Sequence, residues 1–306
     1  PVLTISSSES DPTNASPFTV DFAFTENVTG FLIGDISVTN GSKSNFVTTD
    51  AAHYSVDVTP TADGSVTVSV LAGAATDAAT NDNSSDSFSI VYDGTGPTPT
   101  LTSTDGANTN NSPFQVQIAW DEDVTGFILG DISVTGGTAG TFATVDASHY
   151  TVNITPSGQG NVDIDIASAA AKDTAGNDSS AATTLSVNYD SVAPTVTLTS
   201  DDGSDTANSP FGIHIVFSED VTGFLVGDIT VTGGTASNLV AVDAQNYTAD
   251  ITPTAEGNVD IDVNAAVAID VAGNDNTAAT TLSVNYDITS PTVTITSDDG
   301  SDTANS

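Results

Sequence analysis

Apolar and polar residues alternate with a period of two along most of the chain. The segments FTVDFAF (18–24), FQVQIAW (114–120) and FGIHIVF (211–217) place an apolar side chain at every second position. This alternation is typical of strands that bury one face. Sustained helical spacing is absent, and the Ala-rich stretch 167–175 is too short, and too close to Gly176, to predict a helix. The pattern therefore predicts an all-β protein.

The pattern repeats along the chain. Pro1, Pro97, Pro194 and Pro291 recur at spacings of 96 or 97 residues, and each precedes a Thr/Val-rich strand pattern. The segment SDDGSDTANS at 200–209 returns unchanged at the end of the sequence. A repeat of this length predicts an array of domains, and we expect further repeats beyond this segment. The predicted domains are 1–93, 94–190 and 191–287, with 288–306 as the first strand of a truncated fourth repeat.

Each repeat contains about seven strand-like segments. The first two are the Pro-led segment and the segment at 18–24, 114–120 or 211–217. They are followed by the ISVT or ITVT segment, a weak one around Phe46, Phe142 and Leu239, and then the segments led by Tyr, by Val and by Ser or Leu. This number predicts immunoglobulin-like Greek-key β-sandwiches arranged end to end. Trp120 is in register with Phe24 and Phe217, so we expect it to pack in the core.

The charge is strongly one-sided. Forty acidic residues face two basic ones, Lys43 and Lys172, which gives a formal net charge of −38. Such a chain repels nucleic acid and anionic membranes, and bound cations or salt must offset its self-repulsion. No apolar run approaches the roughly twenty residues that cross a bilayer, and Pro1 opens directly into a strand pattern, so neither a signal peptide nor membrane insertion is expected of this segment. The absence of cysteine excludes disulfides and thiolate metal sites.

The recurring motifs resemble those of bacterial Ig-like domains in large secreted adhesins. They are E-[ND]-V-T-G-F, G-D-I-[ST]-V-T, Y-x-x-x-[IV]-T-P, D-x-A-x-N-D and Y-D-x-x-x-P, and they cover all three repeats. The resemblance implies an extracellular location at a bacterial cell surface. It also implies a spacer that carries a terminal binding domain and is often made rigid by calcium.

The acidic residues recur where domains would meet. If each repeat is a sandwich of strands A to G, the B–C, D–E and F–G loops lie at the end where the chain enters. The A–B loop lies at the other end, so stacking brings both sets and the linker together. The predicted ligands of the entry loops are Glu122, Asp123, Asp146, Asp173, Asn177 and Asp178 in repeat two, and Glu219, Asp220, Asp243, Asp270, Asn274 and Asp275 in repeat three. The A–B loops add Glu9, Asp105, Asp202 and Asp299, and the linkers add Asp93, Asp190 and Asp287.

Carboxylate and amide oxygens in such number favour Ca²⁺, which takes six to eight oxygen ligands in tolerant geometry. Transition metals are disfavoured because soft and imidazole ligands are scarce. The alternative is that these residues form turns on an acidic surface adapted to salty water. Asp35, Asp131 and Asp228 either join the site or begin strand C. The sequence therefore predicts calcium between domains and leaves the turn interpretation open.

Catalysis is not expected. The pairs Asp163/Asp165 and Asp260/Asp262 are spaced for one solvated strand face, and repeat one carries Thr67 and Ser69 there. His53 and His149 are replaced by Asn246 in repeat three, which excludes a histidine chemistry common to the repeats.

The function predicted is a calcium-rigidified extender of a secreted or surface adhesin, at very roughly 40 Å per repeat. Two alternatives stay open: repeats that themselves bind glycan or ice through Thr-rich strand faces, and repeats that assemble into an extracellular filament or surface layer. The predicted partners are the neighbouring repeats of the same chain, with other copies of the chain as an open alternative.

Overall fold

The computed structural model describes residues 1–296 and contains three successive β-sandwiches. Repeat one is built from β1 (Leu3–Ser6), β2 (Phe18–Phe24), β3 (Ile36–Thr39), β4 (Gly41–Thr48), β5 (His53–Pro60), β6 (Gly64–Val70) and β7 (Asp86–Tyr92). Repeat two is built from β8 (Pro99–Ser103), β9 (Asn108–Thr109), β10 (Phe114–Trp120), β11 (Ile132–Thr135), β12 (Gly137–Thr144), β13 (His149–Pro156), β14 (Gly160–Ile166) and β15 (Leu185–Tyr189). Repeat three is built from β16 (Val196–Ser200), β17 (Asp205–Thr206), β18 (Phe211–Phe217), β19 (Ile229–Thr232), β20 (Gly234–Ala241), β21 (Asn246–Pro253), β22 (Gly257–Val263) and β23 (Leu282–Tyr286).

Each repeat consists of two sheets with the same strand order. In repeat one the sheets are β1-β2-β5-β4 and β3-β6-β7, so β1 to β7 are strands A to G in the orders A-B-E-D and C-F-G. This is the strand arrangement of a constant-type immunoglobulin sandwich. A single 3-10 turn precedes strand C in every repeat, at Ile33–Asp35, Leu129–Asp131 and Val226–Asp228. The predicted immunoglobulin-like fold is confirmed.

The cores are formed by the residues at alternate positions of the strands. Strand B shows the burial pattern expected of a half-buried strand in all three repeats. The phenylalanine of the T-G-F motif packs against strands B and E; in repeat two, Phe127 lies 5.3 Å from Trp120 and 5.1 Å from Tyr150 between ring centroids. Trp120 is 4% exposed, so its predicted place in the core is confirmed. The Ala-rich stretch 167–175 forms turns and bridges, as its length predicted.

A short segment between strands A and B was not predicted. In repeats two and three it forms the two-residue strands β9 and β17, which run parallel to the end of strand G. In repeat one the equivalent is a single bridge between Thr13 and Tyr92. We call this segment A′. It continues the C-F-G sheet beyond strand G and so places its backbone beside the start of the linker.

The predicted first strand of a fourth repeat is not formed over 288–296, and the rest of that segment, with Asp299, lies outside the described residues. Val293 and Ile295 are 84% and 90% exposed, whereas their counterparts Val196 and Leu198 are buried. Strand A pairs with strand B of its own repeat in all three sandwiches.

Two compact units can be described separately. One contains Pro1–Ala107 with Ser112–Val187, and the other contains Asn108–Asn111 with the chain from Asn188 onward. Over residues 1–296, the structure contains no helix long and apolar enough to cross a bilayer.

Candidate metal centre

Three carboxylates from separate parts of the chain meet at the junction of repeats one and two. Asp93 comes from the linker, Glu122 from the B–C loop and Asp173 from the F–G loop. One oxygen from each lies within 4.8 Å of the others. Asp173 is only 3% exposed, while the other two are half-buried. We call these residues the first carboxylate group.

Backbone pairing between the two loops brings Glu122 close to Asp173. The Thr125 amide donates to the Lys172 carbonyl at 2.7 Å, and the Lys172 amide donates back to Thr125 at 3.0 Å. These residues lie three positions after Glu122 and one before Asp173. The loop positions are therefore fixed by a small antiparallel bridge and not by the carboxylates themselves.

The F–G loop folds around the Asp173 carboxylate. Its Oδ1 accepts hydrogen bonds from the amides of Gly176 (2.6 Å) and Asn177 (2.9 Å), and its Oδ2 accepts one from Asn177 Nδ2 (2.7 Å). The D-x-A-x-N-D motif thus encodes an Asx-type turn that buries its own aspartate. Buried carboxylates need such partners to offset their desolvation.

Asp93 is held by repeat one and is also linked to the F–G loop of repeat two. Its amide donates to the carbonyl of Thr13 in segment A′ at 2.9 Å. Its carbonyl accepts a hydrogen bond from Asn177 Nδ2 at 2.8 Å. Asn177 therefore joins the linker to the loop that carries Asp173.

The same arrangement recurs in the second unit. Asp190, Glu219 and Asp270 also have ligand atoms within 4.8 Å of one another, and we call them the second carboxylate group. Asn274 Nδ2 donates to the Asp190 carbonyl at 2.9 Å and to Asp270 Oδ2 at 2.8 Å. The repetition in a separate unit shows that the geometry belongs to the repeat and not to one junction.

In each carboxylate group, the pKa of the glutamate is raised. Burial raises the pKa of Glu122 to about 6, and the charges of Asp173 and Asp93 add to the rise. Burial also raises the pKa of Glu219, with contributions from Asp190 and Asp270. Negative charge at each group is therefore incompletely compensated by the protein.

The D–E aspartates do not join either group. The Asp146 carboxylate accepts the amides of Ser148 (2.9 Å) and His149 (2.8 Å), and it pairs with the His149 ring. Asp243 caps the same turn through Gln245 and Asn246. Hydrogen bonds within the turn account for these aspartates, as the turn interpretation predicts.

Other predicted F–G and B–C residues point to different partners. Asp178 pairs with Lys172 Nζ at 2.5 Å, and Asp275 forms a backbone bridge with Ile269. Burial raises the pKa of Tyr150, and the charges of Asp146 and then Asp123 add to the rise. Asp220 has the equivalent effect on Tyr247.

Glu9, Asp105, Asp202 and Asp287 also lie outside the two groups. Asp202 accepts hydrogen bonds from Thr206 and Asn208 of its own loop at 2.6 and 2.8 Å. Glu9 and Asp105 sit in the corresponding turns, where their amides bond to a preceding serine hydroxyl. Asp287 is anchored to segment A′ as Asp93 is, and its carboxylate accepts the amide of Thr289. The Asp202 and Asp287 carboxylates are therefore held by contacts within their own segments.

The G-D-I aspartates begin strand C. Asp35, Asp131 and Asp228 each accept the amide three residues before them, at 2.7 to 2.9 Å, and so close the 3-10 turn. The sequence left two roles open for these aspartates, and the hydrogen bonds support the role at the start of strand C.

One contributor to the first junction was missed. Asp63, in the E–F turn, accepts the Gly94 amide at 2.7 Å and the Thr95 hydroxyl at 2.5 Å, and its charge also contributes to the raised pKa of Glu122. Glu256 holds the linker after repeat three in the same way. The signal was available, because an acid precedes the E–F glycine in both repeats.

The paired strand aspartates face hydroxyl groups. Asp165 accepts a hydrogen bond from Thr184, and Asp262 and Asp260 accept bonds from Thr281 and Ser283. These are cross-strand contacts on the outer C-F-G face.

The two carboxylate groups have the ligands that a hard cation requires. All ligand atoms are oxygens, and the three carboxylates offer up to six. Oxygens bound to one Ca²⁺ at 2.3–2.6 Å lie no more than about 5 Å apart, which the 4.8 Å limit satisfies. The residues therefore fit calcium.

The strand orders A-B-E-D and C-F-G define tandem immunoglobulin-like sandwiches. The family model of the bacterial Ig-like domain matches residues 1–92, 93–189 and 190–288. The chain therefore belongs to the bacterial Ig-like domain family, in three tandem copies. A search of curated proteins found no match.

Solved structures with a similar architecture include invasin, a bacterial integrin-binding protein, at 15% identity and a TM-score of 0.37. That alignment covers 85% of this chain and 56% of invasin, so this chain spans little more than half of that relative. Yersinia pseudotuberculosis InvD is 15% identical, with 92% of this chain and 96% of that one covered and a TM-score of 0.40. The I9–I11 tandem of titin is 7% identical, with 92% and 99% covered and a TM-score of 0.29.

Proposed function

We propose that this chain is a non-enzymatic extender segment of an extracellular bacterial adhesin, in which calcium at the two carboxylate groups stiffens the junctions between repeats. The observation that carries the proposal is the position of the groups. Each takes one ligand from a linker and two from the repeat that follows it. A cation bound there would connect the linker to the next sandwich.

The charge of the groups supports a bound cation. Three carboxylates within 4.8 Å repel one another, by about 1 kcal/mol per pair in bulk water and about 3 kcal/mol at an effective dielectric constant of about 20. A divalent cation bound between the carboxylates offsets this repulsion, because each carboxylate is attracted to the cation. With calcium removed, repulsion opposes the close approach of linker and loops, so the junction is expected to loosen.

The repetition of the groups supports a spacer. A ligand-binding function needs one site, whereas a spacer needs the same junction at each step. The first and second carboxylate groups have the same residue types, the same burial pattern and the same bridging asparagine. Conserving the junction in this way is what a projecting segment requires, and the terminal binding domain it would carry lies outside this sequence.

Small-angle X-ray scattering tests the proposal. The chain is measured in millimolar calcium and in excess chelator at matched ionic strength. We expect a well-defined maximum dimension in calcium, and a broader and on average more compact distribution in chelator. Magnesium at the same concentration is the control for divalent charge alone. Identical profiles in calcium and chelator would reject calcium stiffening.

A further inference from the structure

The outer edge of strand C is covered by a lysine in repeat one and not in the later repeats. Strand C is the last strand of the C-F-G sheet in every repeat. In repeat one, Lys43 of strand D donates a hydrogen bond from Nζ to the carbonyl of Ile36, the first residue of strand C. The equivalent residues of strand D are Ala139 and Ala236, which have no side-chain donor. A lysine at a sheet edge is a usual protection against pairing with another chain.

The burial of the first residue of strand C reflects this difference. Ile36 is 1% exposed, whereas its equivalents Ile132 and Ile229 are 8% and 6% exposed. Among the described residues, no side chain bonds the carbonyl of Ile132 or Ile229 as Lys43 bonds that of Ile36. The edge is therefore more accessible in repeats two and three than in repeat one.

The lysine contact also identifies the backbone groups that point outward from strand C. Because the Ile36 carbonyl bonds Lys43, it points away from strand F. Residues two apart in an antiparallel strand direct their N–H and C=O groups to the same side. Val134 and Val231, which lie two residues after Ile132 and Ile229, therefore direct both backbone groups out of the sheet. These groups are free to pair with another strand.

Strands C and D form a neutral margin on a strongly acidic chain. Residues 132–145 and 229–242 contain no charged side chain, although the chain carries forty acids. Asp131, just before strand C, has its carboxylate bonded within the 3-10 turn. Two copies joined at this edge would separate their strand F aspartates by three strand spacings, or roughly 14 Å. That distance exceeds the Debye length of about 8 Å at physiological ionic strength, so salt screens the repulsion.

We propose that the strand C edges of repeats two and three pair with the same edge of a second copy of this chain, antiparallel about a two-fold axis. With the axis at Val134, this residue would exchange both of its backbone hydrogen bonds with Val134 of the copy. A second copy suits the edge because both partners then meet through segments without charge. The pairing goes beyond stiffening of a single chain, since it would place extenders side by side without using the carboxylate groups.

Sedimentation equilibrium tests the proposal. The chain is measured in excess chelator, with enough monovalent salt to screen the carboxylates, at concentrations up to about 1 mM because so short an edge pairs weakly. We expect the average mass of the wild type to rise with concentration. Ala139→Lys combined with Ala236→Lys introduces the lysine of repeat one into the later repeats, and should raise the apparent dissociation constant by about tenfold or more.

Two further variants separate the edge from charge and from folding. Thr138→Lys combined with Thr235→Lys adds the same charge one residue earlier, where strand alternation directs the side chain to the other face of strand D, and should leave association unchanged. Lys43→Ala uncovers the edge in repeat one and should strengthen association, so it remains informative if the lysine substitutions destabilise their repeats.

Each result decides the proposal independently of calcium. A wild type that stays monomeric at every concentration would overturn the second copy as the occupant of the edge, which would then suit only a strand of different sequence. Association that Ala139→Lys with Ala236→Lys leaves unchanged, or that Thr138→Lys with Thr235→Lys weakens equally, would overturn the strand C edge as the surface. Because every sample contains chelator, these outcomes are separate from the success or failure of calcium stiffening.

Discussion

Replacing Glu122 with glutamine should have opposite effects in chelator and in calcium. The substitution keeps the size of the side chain and removes one charge from a group whose ligand atoms lie within 4.8 Å. Without calcium it removes repulsion from Asp93 and Asp173, so the free energy of unfolding of repeat two should rise by about 1 to 3 kcal/mol. With calcium it removes a charged ligand. A tenfold weaker affinity would reduce the stabilisation by calcium by about 1.4 kcal/mol.

Tryptophan fluorescence provides the assay. Trp120 is the only tryptophan of the chain, is buried in strand B of repeat two and lies two residues before Glu122. Urea unfolding followed at this residue gives the stability of that repeat in calcium and in chelator. Asp146→Asn is the matched control, because it removes the same charge from a turn of the same repeat and should leave the calcium increment unchanged. A Glu122→Gln variant that is destabilised in chelator, or that keeps the full calcium increment, would refute the electrostatic argument.

Three further outcomes are expected. In chelator, the contribution of Glu122 to stability is present below about pH 4.5 and is lost as the pH rises through its pKa of about 6. Between these two pH values the wild type should therefore lose more stability than Glu122→Gln. Parallel pH profiles of the two proteins would contradict this prediction. Trp120→Phe removes a buried indole N–H that has no hydrogen-bond partner and introduces the residue type of the other repeats. Urea midpoints should therefore show that the free energy of unfolding falls by less than about 1 kcal/mol, far less than the 3 to 5 kcal/mol typical of truncation to alanine. Asp131→Ala removes the acceptor for the Ile128 amide and should cost about 1 kcal/mol equally in calcium and in chelator; a calcium-dependent cost would instead place Asp131 in the metal site.

The alternation of residues and the repeat length were sufficient to predict the fold. Strand B, strand E and strand F each bury one face as the pattern indicates, and strand topology assigns every loop to one end of the sandwich. The approach of the linker, the B–C loop and the F–G loop follows from that assignment. The short A′ segment was not predictable, because a two-residue strand has no periodicity to recognise.

The choice among acids could not be made from residue type. Asp146 and Asp173 both begin Asx-type turns in loops at the same end of repeat two. The F–G loop is bridged to the B–C loop through Thr125 and Lys172, whereas the D–E loop is bonded to it through Val124 and Ala147. Of the two aspartates, only Asp173 belongs to the first carboxylate group. These loop contacts are long-range and have no local sequence signal. Asp63 is the opposite case, because an acid precedes the glycine of the E–F turn in repeats one and three, and this recurrence could have predicted its place at the junction.

Calcium titration of the chelated chain by isothermal calorimetry tests the central claim most directly. The account predicts two tight sites in the wild type, corresponding to the two carboxylate groups of the described residues, and one remaining site in Asp173→Asn or in Asp270→Asn. Asp146→Asn should retain both sites. Absence of calcium binding, or an unchanged number of sites in both single variants, would contradict the assignment of the metal centres.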